Sequence, residues 1–200
     1  MKNKGMGSLN ISTIVIALIP IAVAINYLGK VVIEILKLPL WLDSIGTVIS
    51  SMLAGPLIGA FTGLINNIIY GFTLSPISFV YAITSVVIGL GVGIMAHKGW
   101  IASISKAIII GLVVGLLAAI VSTPLNIMFW EGTTGNVWGD AFYLYLESIG
   151  MPQWVASFGD SVVVDVPDKV ITVLIGYLIY RSLPKNLIRL FNNNNEIEKL

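Results

Sequence analysis

The sequence contains no cysteine and only one histidine, His97. The absence of cysteine excludes disulfide bonds, thiolate metal sites and cysteine nucleophiles. A lone histidine beside Lys98 cannot build a histidine-based zinc site, and it is expected to be a solvated flank rather than part of a Ser-His-Asp triad. A G-x-x-x-x-G-K-[ST] nucleotide-binding motif is also missing. We therefore expect no enzyme: no catalytic residue, no metal and no cofactor.

Charged side chains are equally scarce. Only 10% of the 200 residues are charged, against about 25% in soluble domains, while 56% are hydrophobic. So few charges cannot cover the surface of a water-soluble protein, whereas lipid is a solvent for such a surface. The formal net charge of +1 gives no bias toward nucleic acid. The chain is predicted to be an integral membrane protein.

The distribution of charge predicts the membrane spans, since a helix needs about 20 apolar residues to cross. Residues 44–95 contain no charged side chain. Three crossings there, with breaks at Gly55-Pro56 and between Gly71 and Pro76, place most lysines and arginines on the cytoplasmic side, as the positive-inside rule expects. Two crossings would invert this distribution of charge. The predicted spans are 9–28, 42–54, 56–71, 76–96, 104–130 and 154–183.

The predicted fold is therefore all-α: a six-transmembrane-helix bundle with both termini cytoplasmic and short second and third helices. Residues 1–191 form a single transmembrane substrate-binding domain, and 192–200 form a disordered cytoplasmic tail. Residues 131–153 are too polar to cross and are expected to form a partly helical outer cap. Glycines at four-residue spacing, 55/59/63, 89/93 and 111/115, predict close helix packing.

The first predicted helix has two alternatives. Lys2, Lys4 and the small-x-small triplet 22–24 also suit a cleaved signal peptide, so whether this helix is retained stays open. As a span, it carries a stripe of small residues, Ala17, Pro20 and Ala24. That stripe suits either a neighbouring helix or a separate membrane subunit.

The last predicted helix carries charges at membrane depth, Asp165, Asp168 and Lys169. Lys169 lies twelve residues before Arg181, or roughly 18 Å along the helix axis. Each charge at such depth costs about 2.5–3.5 kcal/mol and must face protein or water. Asp165 and Lys169, at i and i+4, are predicted to pair. Either this is a self-contained ion pair, or it belongs to a polar substrate site.

Polar and aromatic residues on other predicted helices and loops are expected at the same membrane depth as the charges of the last helix. A pocket needs few polar groups that converge on one point, and each residue taken alone suits core packing or interfacial anchoring equally well. The candidate substrate-binding residues are Trp41, Asp43, Asn66, Asn67, Tyr70, Tyr81, Asn126, Trp130, Trp138, Asp165, Asp168 and Lys169.

The sequence resembles the S components of energy-coupling factor (ECF) transporters, the membrane subunits that capture vitamins and related micronutrients in bacteria and archaea. The resemblance covers most of the chain. It rests on the predicted topology and on five segments: 42–47 (LDSIGT), 53–60 (LAGPLIGA), 63–67 (GLINN), 165–169 (DVPDK) and 181–185 (RSLPK).

This resemblance implies a multi-pass protein of a prokaryotic cell membrane. It implies a vitamin-like solute bound from outside and covered by the first outer loop, where Trp41 and Asp43 lie. Its partners would be a transmembrane scaffold (T) subunit and two ATPase (A) subunits. The family docks through an Ala-x-x-x-Ala face; here Ala17 matches, but residue 21 is isoleucine. The alternative is a self-sufficient secondary transporter or ion channel that uses the charged last helix as a relay.

Overall fold

The computed structural model describes residues 13–197, with side chains described as far as Phe191. Within those residues the chain is helical and contains no strand. The helices are α1 (Thr13–Leu36), α2 (Ile45–Ala54), α3 (Pro56–Thr73), α4 (Ile77–Val80), α5 (Ala82–Met95), α6 (Ile104–Trp130), α7 (Val137–Ser148), α8 (Gln153–Ser182) and α9 (Lys185–Ile197). A π-helical turn, Ala96–Trp100, follows α5 directly.

Three of these helical stretches are long and apolar enough to cross a membrane: Thr13–Leu36, Ala82–Trp100 and Ile104–Trp130. Together with the composition they mark a membrane protein. Helix α8 is longer, at 30 residues, but its charged residues lower its hydropathy. Helix α2 is short, at 10 residues, as expected from the sequence.

The predicted helix bounds agree with the structure most closely where turn signals are strong. Helix α6 has the predicted bounds, and α3 begins at Pro56 as expected, because proline is favoured in a first helical turn. The predicted helix over 76–96 instead divides into α4 and α5 at Tyr81. The predicted start of the second helix at residue 42 is wrong: Leu42 has a φ of 42°, which helical backbone does not adopt, so α2 begins at Ile45.

Two further differences concern the ends of the chain. Helix α1 continues to Leu36, eight residues beyond the predicted end at 28, while the predicted start at residue 9 lies outside the described residues. The segment predicted as a disordered tail begins at residue 192, but helix α9 continues to Ile197. Its buried Phe191 belongs to an apolar cluster with α1 and α2, and this contact anchors the helix just before the asparagines. Residues 198–200 lie outside the described part.

Helix α7 forms within residues 131–153, for which the sequence predicts partly helical structure. The Asn136 side chain accepts a hydrogen bond from the Trp138 N–H at 3.1 Å and so caps the helix. Thr134 links this segment to α8, since its hydroxyl donates to Asp160 at 2.8 Å. The cap is therefore fixed to the longest helix by a buried acid.

Glycines allow the helices to approach closely, as predicted. A Cβ on Gly111 would lie 2.6 Å from the Val170 Cα, and one on Gly115 would lie 2.7 Å from the Val166 Cα, so α6 and α8 meet backbone to backbone. On α3, a Cβ on Gly63 would lie 2.8 Å from the Ser85 carbonyl oxygen of α5. Gly55 has another role: with a φ of 95°, it forms the junction between α2 and α3 rather than part of the α3 face.

We predict that Gly63→Ala lowers stability by about 1–3 kcal/mol, because the added methyl group forces α3 away from the α5 backbone. Thermal unfolding of the purified protein in detergent measures the change. Gly91→Ala is the matched control, because its Cβ would meet only side chains, the nearest atom lying at 3.3 Å. An equal loss for both variants would contradict this account of the α3–α5 contact.

Candidate functional site

Helix α8 carries four ionisable residues inside the protein. Asp160 and Asp168 are fully buried, Lys169 is 3% exposed and Asp165 is 8% exposed. Of the two surroundings that the sequence allows for Asp165, Asp168 and Lys169, protein or water, the structure shows protein. Their partners come from α6, from the segment before α7 and from the first loop, residues 37–44. Helix α8 thus contributes the ionisable side chains that the other segments contact.

Lys169 does not pair with Asp165, and the predicted i, i+4 pair is wrong. Its ammonium lies 2.6 Å from the Asp168 carboxylate and 3.5 Å from the Asp43 carboxylate. It also donates to the Ser44 hydroxyl at 3.0 Å. The lysine therefore points toward the first loop, whose polar groups the i, i+4 spacing on α8 alone does not reveal.

The Asp168 carboxylate holds the first loop in place. One oxygen accepts hydrogen bonds from the backbone N–H groups of Trp41 and Leu42, both at 2.9 Å, and the other faces Lys169. Buried backbone N–H groups need such acceptors, because leaving them unpaired is costly. We call this set the latch: Asp168, Lys169, Asp43, Ser44 and the two loop N–H groups. It ties the loop to the middle of α8.

Asp43 is the acidic member of the latch contributed by the loop. Burial alone would raise its pKa, but the ammonium groups of Lys169 and Lys30 together with a hydrogen bond from Ser44 hold the pKa of that carboxyl below its usual value. Asp43 is therefore ionised at neutral pH. Its negative charge keeps Lys169 directed at the loop.

A second polar cluster joins α6 and α8 to Tyr81, the residue between α4 and α5. Asn126 of α6 accepts a hydrogen bond from the Tyr81 hydroxyl and donates to Ser161 of α8 at 3.1 Å. Trp130 stacks on the Tyr81 ring with 5.4 Å between centroids. The structure thus brings together Tyr81, Asn126 and Trp130, three of the candidate residues that lie far apart in the sequence.

Asp165 lies one turn along α8 from Ser161. Its hydrogen-bond donor among the described residues is Ser122, whose hydroxyl lies 3.1 Å from one carboxylate oxygen. Ser122 in turn is one turn along α6 from Asn126, so the two helices carry matched polar layers. Neither Ser122 nor Ser161 was a candidate residue. Their i, i+4 spacing from Asn126 and Asp165 is the signal that identifies them.

The three candidates on α3 have different surroundings. Asn67 donates to the Ser85 hydroxyl at 2.6 Å and to the Gly63 carbonyl at 3.0 Å, so it connects α3 to α5. Tyr70 stacks on Tyr27 at 4.8 Å and donates to its carbonyl. Asn66 differs from both, because it is buried and its side-chain oxygen has no hydrogen-bond partner among the described residues.

Trp138 lies apart from the polar interior. It is 65% exposed and lines a cleft of about 370 Å³ together with Trp41. The cleft lies between the end of α1, the first loop and residues 135–138, with Lys30, Glu34 and Lys37 on its wall. Of the twelve candidates, Trp41 is the one that both contacts the latch and lines this cleft.

The predicted docking stripe lies on the outside of the chain. Ala17, Pro20 and Ala24 are all exposed on one side of α1. Ala17 also lines an apolar groove of about 290 Å³ formed with α2, the end of α8 and α9. The stripe is available to lipid or to another membrane helix. Among its neighbours, Ile21 is 58% exposed.

Within the described residues, the arrangement consists of hydrogen bonds and ion pairs. No group of three or more potential metal ligands occurs within residues 13–197. Comparison of the chain with protein-family models, with curated proteins and with solved structures found no match. The geometry therefore carries the functional argument: a polar, partly charged interior beneath a loop that is held by side chains of α8.

We predict that Asp168→Asn loosens the first loop. The amide still accepts from the loop backbone but no longer neutralises Lys169, and loss of one buried partner costs on the order of 3 kcal/mol. Because the chain has no native cysteine, a Leu40→Cys reporter can be labelled selectively with a membrane-impermeant maleimide. Labelling should accelerate in the Asp168→Asn background.

Glu147→Gln in the same reporter background is the matched control, since it removes a carboxylate from an exposed site. Equal labelling rates in the two backgrounds would show that Asp168 does not restrain the loop.

Proposed function

We propose that the chain is the substrate-binding S component of an ECF-type transporter. It captures a small water-soluble vitamin or related micronutrient from outside the cell. Partner ATPases supply the energy for uptake, in keeping with the lack of a nucleotide-binding motif in this sequence. The proposal rests on the sequence resemblance together with the geometry of the first loop and α8.

The observation that carries the proposal is the latch. Asp168 and Lys169 could neutralise each other without a loop, yet Asp168 binds two loop N–H groups and Lys169 binds Asp43 and Ser44. A loop bonded to buried charges acts as a lid, because opening it exposes the polar interior and closing it excludes water. This is the behaviour expected of a subunit that encloses a polar solute.

The proposed topology has six membrane-spanning segments: α1, α2, α3, α4–α5, α6 and α8. Both termini are then cytoplasmic, α7 is an outer cap, and α9 lies at the inner surface. Lys98, Lys106, Arg181, Lys185 and Arg189 all fall on the cytoplasmic side, in agreement with the positive-inside rule. The first loop and the latch then face the outside.

The proposed partners are a transmembrane scaffold subunit and two ATPase subunits in a prokaryotic cell membrane. The exposed stripe Ala17, Pro20 and Ala24 offers the scaffold a surface on which helices approach closely. The resemblance implies that movement of the scaffold tips the S subunit within the bilayer and releases the solute inward.

A secondary transporter or ion channel is the second candidate. Asp165 favours it, because this buried acid has a hydroxyl partner but no cation within 4 Å among the described residues, as an ion relay requires. Tagged protein expressed in its own cells separates the two functions. Copurification of a membrane scaffold with ATPases, and solute uptake that requires ATP, support the S component. Uptake by this polypeptide alone in liposomes without ATP contradicts it.

We predict that single cysteines report the topology in intact cells. Glu147→Cys, in the α7 cap, should react with an impermeant maleimide from outside, and Lys98→Cys should react only after the membrane is permeabilised. Both positions are exposed in the protein, so burial does not limit their reaction. Labelling of Lys98→Cys in intact cells would contradict six crossings.

We predict that Ala24→Trp abolishes copurification of the scaffold without changing solute affinity, because a large side chain prevents close approach of another helix. Ile120→Trp is the matched control, since Ile120 is 57% exposed on α6, away from the stripe. Pull-down of the tagged variants measures the effect. Equal recovery of the scaffold with Ala24→Trp and Ile120→Trp would remove the stripe from the docking surface.

A further inference from the structure

The buried carboxylates near the latch outnumber the buried ammonium groups. Two buried carboxylates, Asp165 and Asp168, and the partly exposed Asp43 lie around Lys169, which is the one buried lysine among the described residues. Lys169 is committed to Asp168 at 2.6 Å and to Asp43 at 3.5 Å. Among the described residues, no ammonium or guanidinium group lies within 4 Å of Asp165. A carboxylate in such surroundings needs a positive group or a proton, because an isolated buried charge is strongly disfavoured.

Asp165 also retains accessible surface. It is 8% exposed, whereas Asp160 and Asp168 on the same helix are fully buried and have hydrogen-bond donors on both carboxylate oxygens. The described donor to Asp165 is Ser122, which contacts one oxygen. The other oxygen is thus free to accept from a bound molecule.

Two unpaired polar groups lie on other helices, α3 and α5. Tyr81, Asn126 and Ser161 are linked by hydrogen bonds. One helical turn away in the same direction lie Thr84 on α5, Ser122 on α6 and Asp165 on α8. On α3, Asn66 is the sequence neighbour of Asn67, which bonds to Ser85 of α5, next to Thr84. Thr84 and Asn66 are buried, and each has a side-chain oxygen with no hydrogen-bond partner among the described residues.

We call Asn66, Thr84, Ser122 and Asp165 the inner polar layer. Buried polar oxygens in native proteins are normally hydrogen-bonded, so the unpaired oxygens of Asn66 and Thr84, together with a buried carboxylate that has one described donor, indicate a missing partner. A partner with several N–H donors and a positive charge satisfies all three. The stacked rings of Tyr81 and Trp130 close the adjacent level and suit a solute with a planar part.

We propose that the solute carries a positively charged nitrogen group that binds Asp165, with the inner polar layer as its hydrogen-bonding site. This inference rests on the proposed function and names the chemical class of its substrate. Negatively charged solutes are disfavoured at this site, because Lys169 is already neutralised by Asp168 and Asp43. The latch then closes over the inner polar layer, in which the positive solute balances the negative charge of Asp165.

The test uses the full chain reconstituted in lipid nanodiscs and titrated calorimetrically with four probes. Thiamine and pyridoxamine carry positive nitrogen groups, whereas nicotinate and pantothenate are anions. At least one cationic probe should bind, and neither anion should bind more tightly. Binding of an anionic probe in preference, or no binding of either cationic probe, overturns the proposal. This arm uses the wild-type protein and does not depend on the folding of a variant.

A second arm measures the role of Asp165. Asp165→Asn should weaken binding of the cationic probe at least tenfold, whereas Glu147→Gln, which removes an exposed carboxylate, should leave it unchanged. Unchanged affinity in Asp165→Asn would remove Asp165 from the site. Stabilisation by NaCl but not by N-methyl-D-glucamine chloride, without binding of an organic probe, would replace the proposal with a small-ion site.

Failure of this inference differs from failure of the proposed function. If an anionic probe binds and ATP-dependent uptake with copurifying partners is observed, the S-component function stands and the substrate class is wrong. If a cationic probe binds through Asp165 but uptake proceeds in liposomes without ATPases, the substrate class stands and the transporter type is wrong.

Discussion

The structure depends on one constraint: the charges of α8 must find partners inside a protein that has very few charged residues. Asp168 and Lys169 meet this constraint together with the first loop, through two backbone N–H groups, Asp43 and Ser44. Because removing either charge takes away the closest ionic partner of the other, the loop and the helix are stabilised as a unit. The position of the loop is therefore set by electrostatics as well as by apolar packing.

The need of the α8 charges for partners also connects the packing of α6 against α8 to the candidate site. Gly111 and Gly115 let α6 approach the α8 backbone closely, and polar side chains on the two helices meet about two to three turns farther along α6. Ser122 reaches Asp165, and Asn126 reaches Ser161 while it accepts from Tyr81. Small residues thus hold the helices together, and the polar layers define what the interior can bind.

Much of the helix pattern could be predicted from the sequence, because charges and proline or glycine breaks mark helix ends locally. The bounds of α6 and the start of α3 are examples. Leu42 and Tyr81 could not be predicted in this way, since their backbone geometry depends on contacts with distant residues. For the site, the depth of the charges on α8 followed from the sequence. The loop partners of Lys169, Asp43 and Ser44, did not, because they lie more than 120 positions away.

A structure of the purified protein with its solute bound tests the central claim most directly. Our account predicts density for the solute beneath the latched first loop, with a nitrogen group within hydrogen-bond distance of Asp165 and contacts to Asn66 or Thr84. Solute density confined to the outer cleft beside Trp138, with the inner polar layer unchanged, would contradict it.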